Sequence, residues 1–358
     1  MKRAALYDPY LDTLGGGEKH ILSILKVLED EGYEINIFWD KNLQNQIENR
    51  FRLQFVNKLK FLPNIFTSSV FTKLKELRKF DMFFYVTDGS YFFSSAKKNF
   101  VFCMVPSKNL FQMSLFNKLK TFNYNFIANS FFTQNWLKKL GINSKVVYPY
   151  INKEFIDLKV EDLKKENIIL SIGRFYSHLH SKKQSILINL FNKLRQINPL
   201  IKNFKLIIAG GLKEEDKSYF SQLQSTIKNT PDITLKTNLP YDKLLELYKR
   251  SLIYIHMTGY GVDEVKNPEQ VEHLGIAPLE AMISGCLTFA YNAGGPKEII
   301  TDGKNGFLFN TQEELAKKMS SIVSNPNLQT QVKKRAKQFI QDNFSYEIFK
   351  KRVKEVLL

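Results

Sequence analysis

"LIYIHMTGYGVDEVKNPEQVEHLGIAPLEAMISGCLTFAYN", residues 252–292, contains the unit from which the rest of the chain is built. It opens and closes on the short continuous apolar runs "LIYIHMT" and "CLTFAYN", each the length of a strand. Continuous apolarity, rather than alternation, is what a parallel strand covered on both faces requires. Between them lie a glycine-containing loop and one helix. Pro278 marks the first turn of that helix, because proline suits a first turn and fits badly in an interior. The spacing predicts Glu272 on the preceding loop and Glu280 in the first turn. Strand, crossover helix and second strand make a parallel βαβ unit.

The same alternation runs outward in both directions. "RAALYDP", "EINIFWD", "MFFYVTD", "NFVFCMV", "FIANS" and "KVVYPYI" read as strands of a first half, and "NIILSIG", "FKLIIAG" and "ITLKTN" join the opening pair in a second. Helical patterns fit between them. Glu18 to Glu31 places Ile21, Leu25 and Leu28 on one face and ends at Gly32. The fold class is α/β, with two doubly wound domains, since 358 residues exceed one core. We expect an N-terminal domain over 1–151, a charged linker over 152–166 and a C-terminal domain over 167–342. The amphipathic tail, about 343–358, is expected to pack back on the first domain. Two such domains are expected to face each other across a central cleft, with ligands at the carboxyl ends of the strands.

Composition narrows the setting. Cys103 and Cys286 match no metal or redox spacing, as in a reducing compartment. Acidic residues at Asp8 and Asp12 come too early for a signal peptide, and no apolar run reaches the ~18 residues of a spanning helix. The expected location is cytoplasmic, with peripheral contact at the inner face of the plasma membrane. The net charge of +17 is concentrated: residues 41–145 carry 17 Lys or Arg against Glu48, Glu76, Asp81 and Asp88. A basic, Phe-rich surface suits an anionic membrane, a nucleic acid or a phosphorylated acceptor, and ordinary solubility charge explains it equally well. Two segments are candidates for a membrane surface: "FTSSVFTKLKELRKF", with Phe66, Val70, Leu74 and Leu77 at helical spacing, and "SLFNKLKTF".

Four stretches carry candidate chemistry. In "LGGGEKH", Gly15, Gly16 and Gly17 admit close backbone approach where a helix starts, although glycine turns there are common. In "SIGRFYSHLHSKK", Arg174 follows a strand and Lys182 or Lys183 precedes a helix; paired cations suit a diphosphate, and a solvated basic loop is the plainer alternative. His178 and His180 share that loop but lack nearby carboxylates, so no metal is expected. His256, ending "LIYIHMT", reads first as a buried core histidine. In "VEHLGIAPLEAM", the amides around Gly275, Ile276, Ala277 and Leu279 meet the positive end of a helix dipole between Glu272 and Glu280. Taken singly, either glutamate reads as helix-end or surface charge.

Together these stretches resemble the retaining nucleotide-sugar glycosyltransferases of family 4, glycosyl transferases group 1, with their two-domain GT-B fold. The resemblance runs nearly the whole length, through "GGGEKH", "IANSFFTQNWL", "VVYPYI", "SIGR…KK", "VEHLGIAPLEAMISG" and "GGPKEIITDGKNGFLF". Its most specific part is the pair of glutamates flanking Gly-Ile-Ala-Pro. The resemblance implies that Glu272 lies by the donor sugar and that Glu280 binds the ribose hydroxyls. It implies that Arg174, Lys182 and the amides near Ile276 and Ala277 hold the diphosphate, with Gly16 and Gly17 approaching from the other domain.

The expected activity is transfer of a hexosyl unit from a UDP- or GDP-sugar to a hydroxyl of a glycan or lipid-linked acceptor, with retained configuration, in bacterial-type surface polysaccharide or glycoconjugate synthesis. No cofactor is expected, because the chain has no Asp-x-Asp pair and fixed cations stand in for a metal. A nucleic-acid partner is not expected. Two departures from the family pattern matter. "FYSHLHS" separates Arg174 and Lys182 by more than the usual spacing, leaving Lys182 or Lys183 open, with the "KKQSILI" register favouring Lys182; "VFCMVPSK" lacks the histidine many members carry, with Asp88 a weak substitute as acceptor base. A nucleotide-sugar epimerase of the same fold and a non-catalytic basic binding module are the rival readings.

Overall fold

The computed structural model describes residues 2–177 and 181–358. The chain folds as two compact units, Met1–Tyr150 with Tyr346–Leu358, and Ile151–Ser345. His178 and His180 lie outside the described residues.

The first unit is a seven-stranded, wholly parallel sheet in the order β3-β2-β1-β4-β5-β6-β7. Its strands are β1 (Lys2–Tyr7), β2 (Tyr33–Phe38), β3 (Lys60–Leu62), β4 (Met82–Val86), β5 (Lys98–Cys103), β6 (Tyr124–Ala128) and β7 (Ser144–Val146). The order reverses between β1 and β4, which puts the topological switch point of this sheet at the residues following Tyr7 and Val86. One face is covered by helix Gly16–Asp30, whose Ile21, Leu25 and Leu28 are fully buried. Helix Tyr346–Leu357 joins that layer, burying Phe349, Val353 and Leu357 in the same core.

The second unit is a six-stranded, wholly parallel sheet in the order β10-β9-β8-β11-β12-β13. Its strands are β8 (Glu166–Ile172), β9 (Lys205–Gly210), β10 (Ile233–Thr237), β11 (Ser251–His256), β12 (Leu287–Tyr291) and β13 (Phe307–Phe309). Here the reversal lies between β8 and β11. Both sheets are therefore doubly wound, the α/β class that the apolar runs imply.

Three expectations need correction. The stretch 152–166 is not a free linker: it holds helix Lys153–Ile156, and Phe155 is buried with its ring 5.4 Å from Tyr248. Its charges disguise two apolar anchors, Phe155 and Val160, the latter set against Gly285. Strands β3 and β13 are three-residue edges that the apolar-run criterion passes over. Finally, Phe66, Val70, Leu74 and Leu77 do not form one exposed stripe. The helix spans only Val70–Leu77, Leu77 is buried, and Phe66 stacks on Tyr7 with centroids 3.8 Å apart.

Candidate functional site

The second unit gathers five of the predicted groups around its topological switch. Arg174 follows the end of β8, separated from it by Gly173, and His256 ends β11, so the two flank the point where the strand order reverses. Helix Gln184–Ile197 begins close to β8. Its buried Gln184 donates to the Arg174 carbonyl at 2.9 Å and accepts from the Tyr219 hydroxyl at 3.0 Å, tying the loop to the helix. The Arg174 side chain is exposed, with its guanidinium over the Tyr176 ring.

Lys182, not Lys183, turns to the glutamate. Its Nζ lies 2.7 Å from Glu272 Oε2. A Cβ on Gly173 would sit 2.4 Å from Lys182 Cγ, so the absent side chain is what lets the lysine stem cross the end of β8. Lys183 instead takes a left-handed conformation (φ 54°) as the N-cap of its helix. His256 Nε2 reaches the same Glu272 oxygen, also at 2.7 Å, while its Nδ1 lies 3.2 Å from the Tyr254 hydroxyl. Burial lowers the His256 pKa and keeps the ring neutral. The Glu272 carboxylate can only accept, so Nε2 carries the proton and donates to it, while the Tyr254 hydroxyl lies between Nδ1 and the Ile172 carbonyl, to which it donates at 3.4 Å. Burial by itself would raise the Glu272 carboxyl, but the Lys182 ammonium and the His256 hydrogen bond outweigh it and hold the group well below the usual range. Glu272 is a fixed carboxylate.

Glu272 lies on the loop before the helix, as the proline position implies. The helix spans Ile276–Ile283, so Glu280 is in its second turn rather than its first. Gly275 caps it at φ +100°, a left-handed conformation in which a side chain would be strained. Ile276 and Ala277 thus supply first-turn amides that lack an intrahelical acceptor. Leu279 does not belong with them: its side chain is fully buried and its N–H is bonded to the Gly275 carbonyl at 3.3 Å. The half-buried Glu280 carboxylate accepts from the buried Tyr248 hydroxyl at 3.0 Å, an orienting contact invisible in the local pattern.

A further brace comes from "GGPKE". Gly295 N–H donates to the Glu272 carbonyl at 2.7 Å, and a Cβ on Gly294 would lie 2.1 Å from that same oxygen. Glu264 accepts from Gly294 N–H at 2.6 Å and pairs with Lys297. This clamp fixes the backbone that carries Glu272.

In the first unit, Gly15 N-caps helix Gly16–Asp30, and its N–H is taken by Glu18 Oε2 at 2.6 Å. Gly16 and Gly17 form the first turn, and a Cβ on Gly17 would lie 1.9 Å from Met104 Sδ. Asp88 accepts from the Tyr85 hydroxyl and, at 2.9 Å, from Ser90 N–H, so one of its oxygens shapes the turn after β4. The sequence reading passed over Asp8. It follows β1 at the switch of this sheet and is fully buried; Oδ1 accepts from Tyr10 N–H at 2.9 Å, and Oδ2 meets no partner among the described residues. Burial, reinforced by the Glu18 charge, pushes its pKa up to about 8. Its signal was the Asp-Pro step directly after an apolar strand.

Known proteins resemble this chain in sequence and in fold. The GDP-Man:Man(3)GlcNAc(2)-PP-Dol alpha-1,2-mannosyltransferase of Dictyostelium discoideum is 28% identical over 228 residues, covering 60% of this chain and 43% of that one. The chain thus spans less than half the length of the first curated relatives it matches. Among solved structures, a glycosyltransferase from Rickettsia africae aligns over 99% of this chain and 98% of its own, with TM-score 0.74 and 17% identity. The Anabaena HepE structure in complex with UDP and glucose aligns over 100% and 99%, with TM-score 0.69 and 16% identity. These likenesses give the fold, which is GT-B. Residues 152–339, more than half of the chain and the whole neighbourhood of Glu272, match the profile of one family. The chain belongs to the glycosyl transferases group 1.

Proposed function

We propose that this protein transfers a hexosyl unit from a UDP- or GDP-linked sugar to a hydroxyl of a glycan or lipid-linked acceptor, with retention at the anomeric carbon, in surface polysaccharide or glycoconjugate synthesis at the inner face of the plasma membrane. The observation that carries it is the convergence of Lys182 and neutral His256 on one oxygen of Glu272, beside the first-turn amides of Ile276 and Ala277. A fixed carboxylate next to a cation and a helix N-terminus suits a ligand with sugar hydroxyls at one end and a diphosphate at the other. The names of two similar proteins support the donor class, one carrying a GDP-sugar donor and the other holding UDP and glucose.

In this reading Glu272 accepts hydrogen bonds from the donor sugar, and Glu280, held by Tyr248, accepts from the ribose. The Lys182 ammonium has three donors and spends one on Glu272, leaving it able to reach phosphate oxygens together with Arg174. The bond from the anomeric carbon to the phosphate oxygen breaks, its electron pair leaving with the diphosphate. The acceptor oxygen bonds to the anomeric carbon on the same face, and its proton passes to the departing phosphate oxygen. Stabilising that departing charge is the main catalytic contribution.

The two glutamates separate the roles experimentally. Glu280→Ala should weaken free nucleotide diphosphate by about 1.5–3 kcal/mol, on the order of tenfold to a hundredfold. Glu272→Gln should leave that binding nearly unchanged and lose turnover instead. Calorimetry with UDP and GDP, alongside transfer kinetics, reads the contrast. Equal turnover for Glu272→Gln and wild type would remove the central assignment.

A further inference from the structure

The first unit exposes large apolar side chains in one place. On helix Leu115–Lys120 and just after it, Leu115 is 88% exposed, Phe116 59%, Leu119 57% and Phe122 76%. Nearby helix Val70–Leu77 presents Phe71 at 85%. The segment Phe92–Ser95 joins the two. Ser95 Oγ donates to the Leu74 carbonyl, Asn123 donates to the Ser94 carbonyl at 3.0 Å, and the Phe93 and Phe116 rings meet edge to face. Isolated exposed apolar residues are ordinary, whereas a contiguous group marks an interaction surface.

Charge identifies what the surface meets. Residues 89–145 contain eight lysines and no Asp or Glu. Lys118 and Lys120 lie in the last turn of the exposed helix, with Lys120 over the Phe116 ring, and Lys73 stands over Phe92. A second copy of the chain would set these lysines against one another, with no carboxylate in the segment to pair them. Phenylalanine and leucine flanked by snorkelling lysines match the boundary between headgroups and acyl chains.

We infer that Leu115, Phe116, Leu119, Phe122 and Phe71, with Lys118 and Lys120 beside them, dock this unit onto an anionic lipid bilayer. The inference deepens the transferase reading, supplying the surface from which a lipid-linked acceptor is approached. Phe66 and Leu77 take no part, because those side chains pack inward.

The test is sedimentation of the full chain with vesicles of phosphatidylcholine alone and of phosphatidylcholine and phosphatidylglycerol in equal parts. Binding should be at least about tenfold stronger to the anionic vesicles and should weaken in high salt. The combined variant Leu115→Gln, Phe116→Gln, Leu119→Gln and Phe122→Gln should abolish it. Ile197→Gln, on an exposed site of the second unit, should not. All variants should keep wild-type circular dichroism and nucleotide-diphosphate affinity. Equal binding to both vesicles, full binding by the combined variant, or self-association that this variant removes would overturn the inference. Loss of transfer to a soluble acceptor by the wild type would count against the transferase reading alone, since vesicle binding does not depend on it.

Discussion

The ammonium of Lys182 lies 2.7 Å from Oε2 of Glu272, with each side chain about one-fifth exposed. Ninety positions separate the pair in sequence. Because Lys182 holds the Glu272 carboxyl well below its usual range, Lys182→Ala should raise the pKa of the glutamate. The acid limb of the turnover profile should move to higher pH, and kcat/KM should fall by about tenfold to a hundredfold. Lys183→Ala, altering a helix cap, should do neither. Identical profiles for the two variants would mean that the wrong lysine has been assigned.

Gly294 and Gly303 form a matched pair, with φ of +65° and +71°. Alanine at 303 should lose about 1 kcal/mol of stability through backbone strain, and alanine at 294 more. A Cβ at 303 meets nothing within 4 Å, whereas one at 294 collides with the Glu272 carbonyl. Gly294→Ala should therefore lose turnover on the order of a hundredfold, and Gly303→Ala should not. Thermal melts and kinetics of both variants check it, and equal turnover would dismiss the clamp.

Asp8 makes stability fall as pH rises. Its folded pKa of about 8 lies above the unfolded value of 3.8, so below pH 4 both states are protonated and nothing is lost. Between pH 4 and 8 the unfolded state releases the proton first, removing up to about 1.4 kcal/mol of stability per pH unit. Asp8→Asn abolishes this dependence. Urea titrations at pH 5 and pH 8 should show a smaller drop for the variant than for wild type; parallel drops would mean Asp8 is solvated.

On the proposed mechanism, transfer should survive exhaustive EDTA treatment, since Arg174, Lys182 and the helix beginning at Ile276 would supply the positive charge at the diphosphate. Activity lost completely and restored by magnesium or manganese would show that these groups do not suffice.

Sequence alone revealed the parts of the fold where apolarity is continuous. Ten of the eleven runs read as strands are strands over most of their length, because a parallel strand covered on both faces leaves an uninterrupted signature; of "KVVYPYI" only Lys145 and Val146 lie in a strand, the three-residue edge β7. "KFL" and "FLF" are too short to leave one. The segment around Phe155 misled because one buried ring among nine charged neighbours decides its packing, and composition weighs the neighbours. At the site, residue types were legible and partnerships were not. The "KKQSILI" register favours Lys182 over Lys183, but the feature that lets Lys182 reach the glutamate is the missing side chain of Gly173 under its stem. Tyr248, Gln184 and Asp8 act through tertiary contacts or burial, and no spacing rule reports either.

Helix Tyr346–Leu357 belongs to the first unit although the whole second unit precedes it in the chain. During synthesis, the ribosome therefore releases the first 150 residues before the helix that completes their core exists. The second unit can close as soon as Ser345 has emerged, while the earlier-made one must wait with part of its apolar layer open. Birth order and folding order are inverted. A chain ending at Ser345 should keep a folded second unit that binds nucleotide diphosphate, while its first unit, lacking Phe349, Val353 and Leu357, aggregates or draws chaperones. Protease cutting confined to residues 2–150 in that truncated chain, against uniform resistance in the full one, is the expected record of a domain finished last.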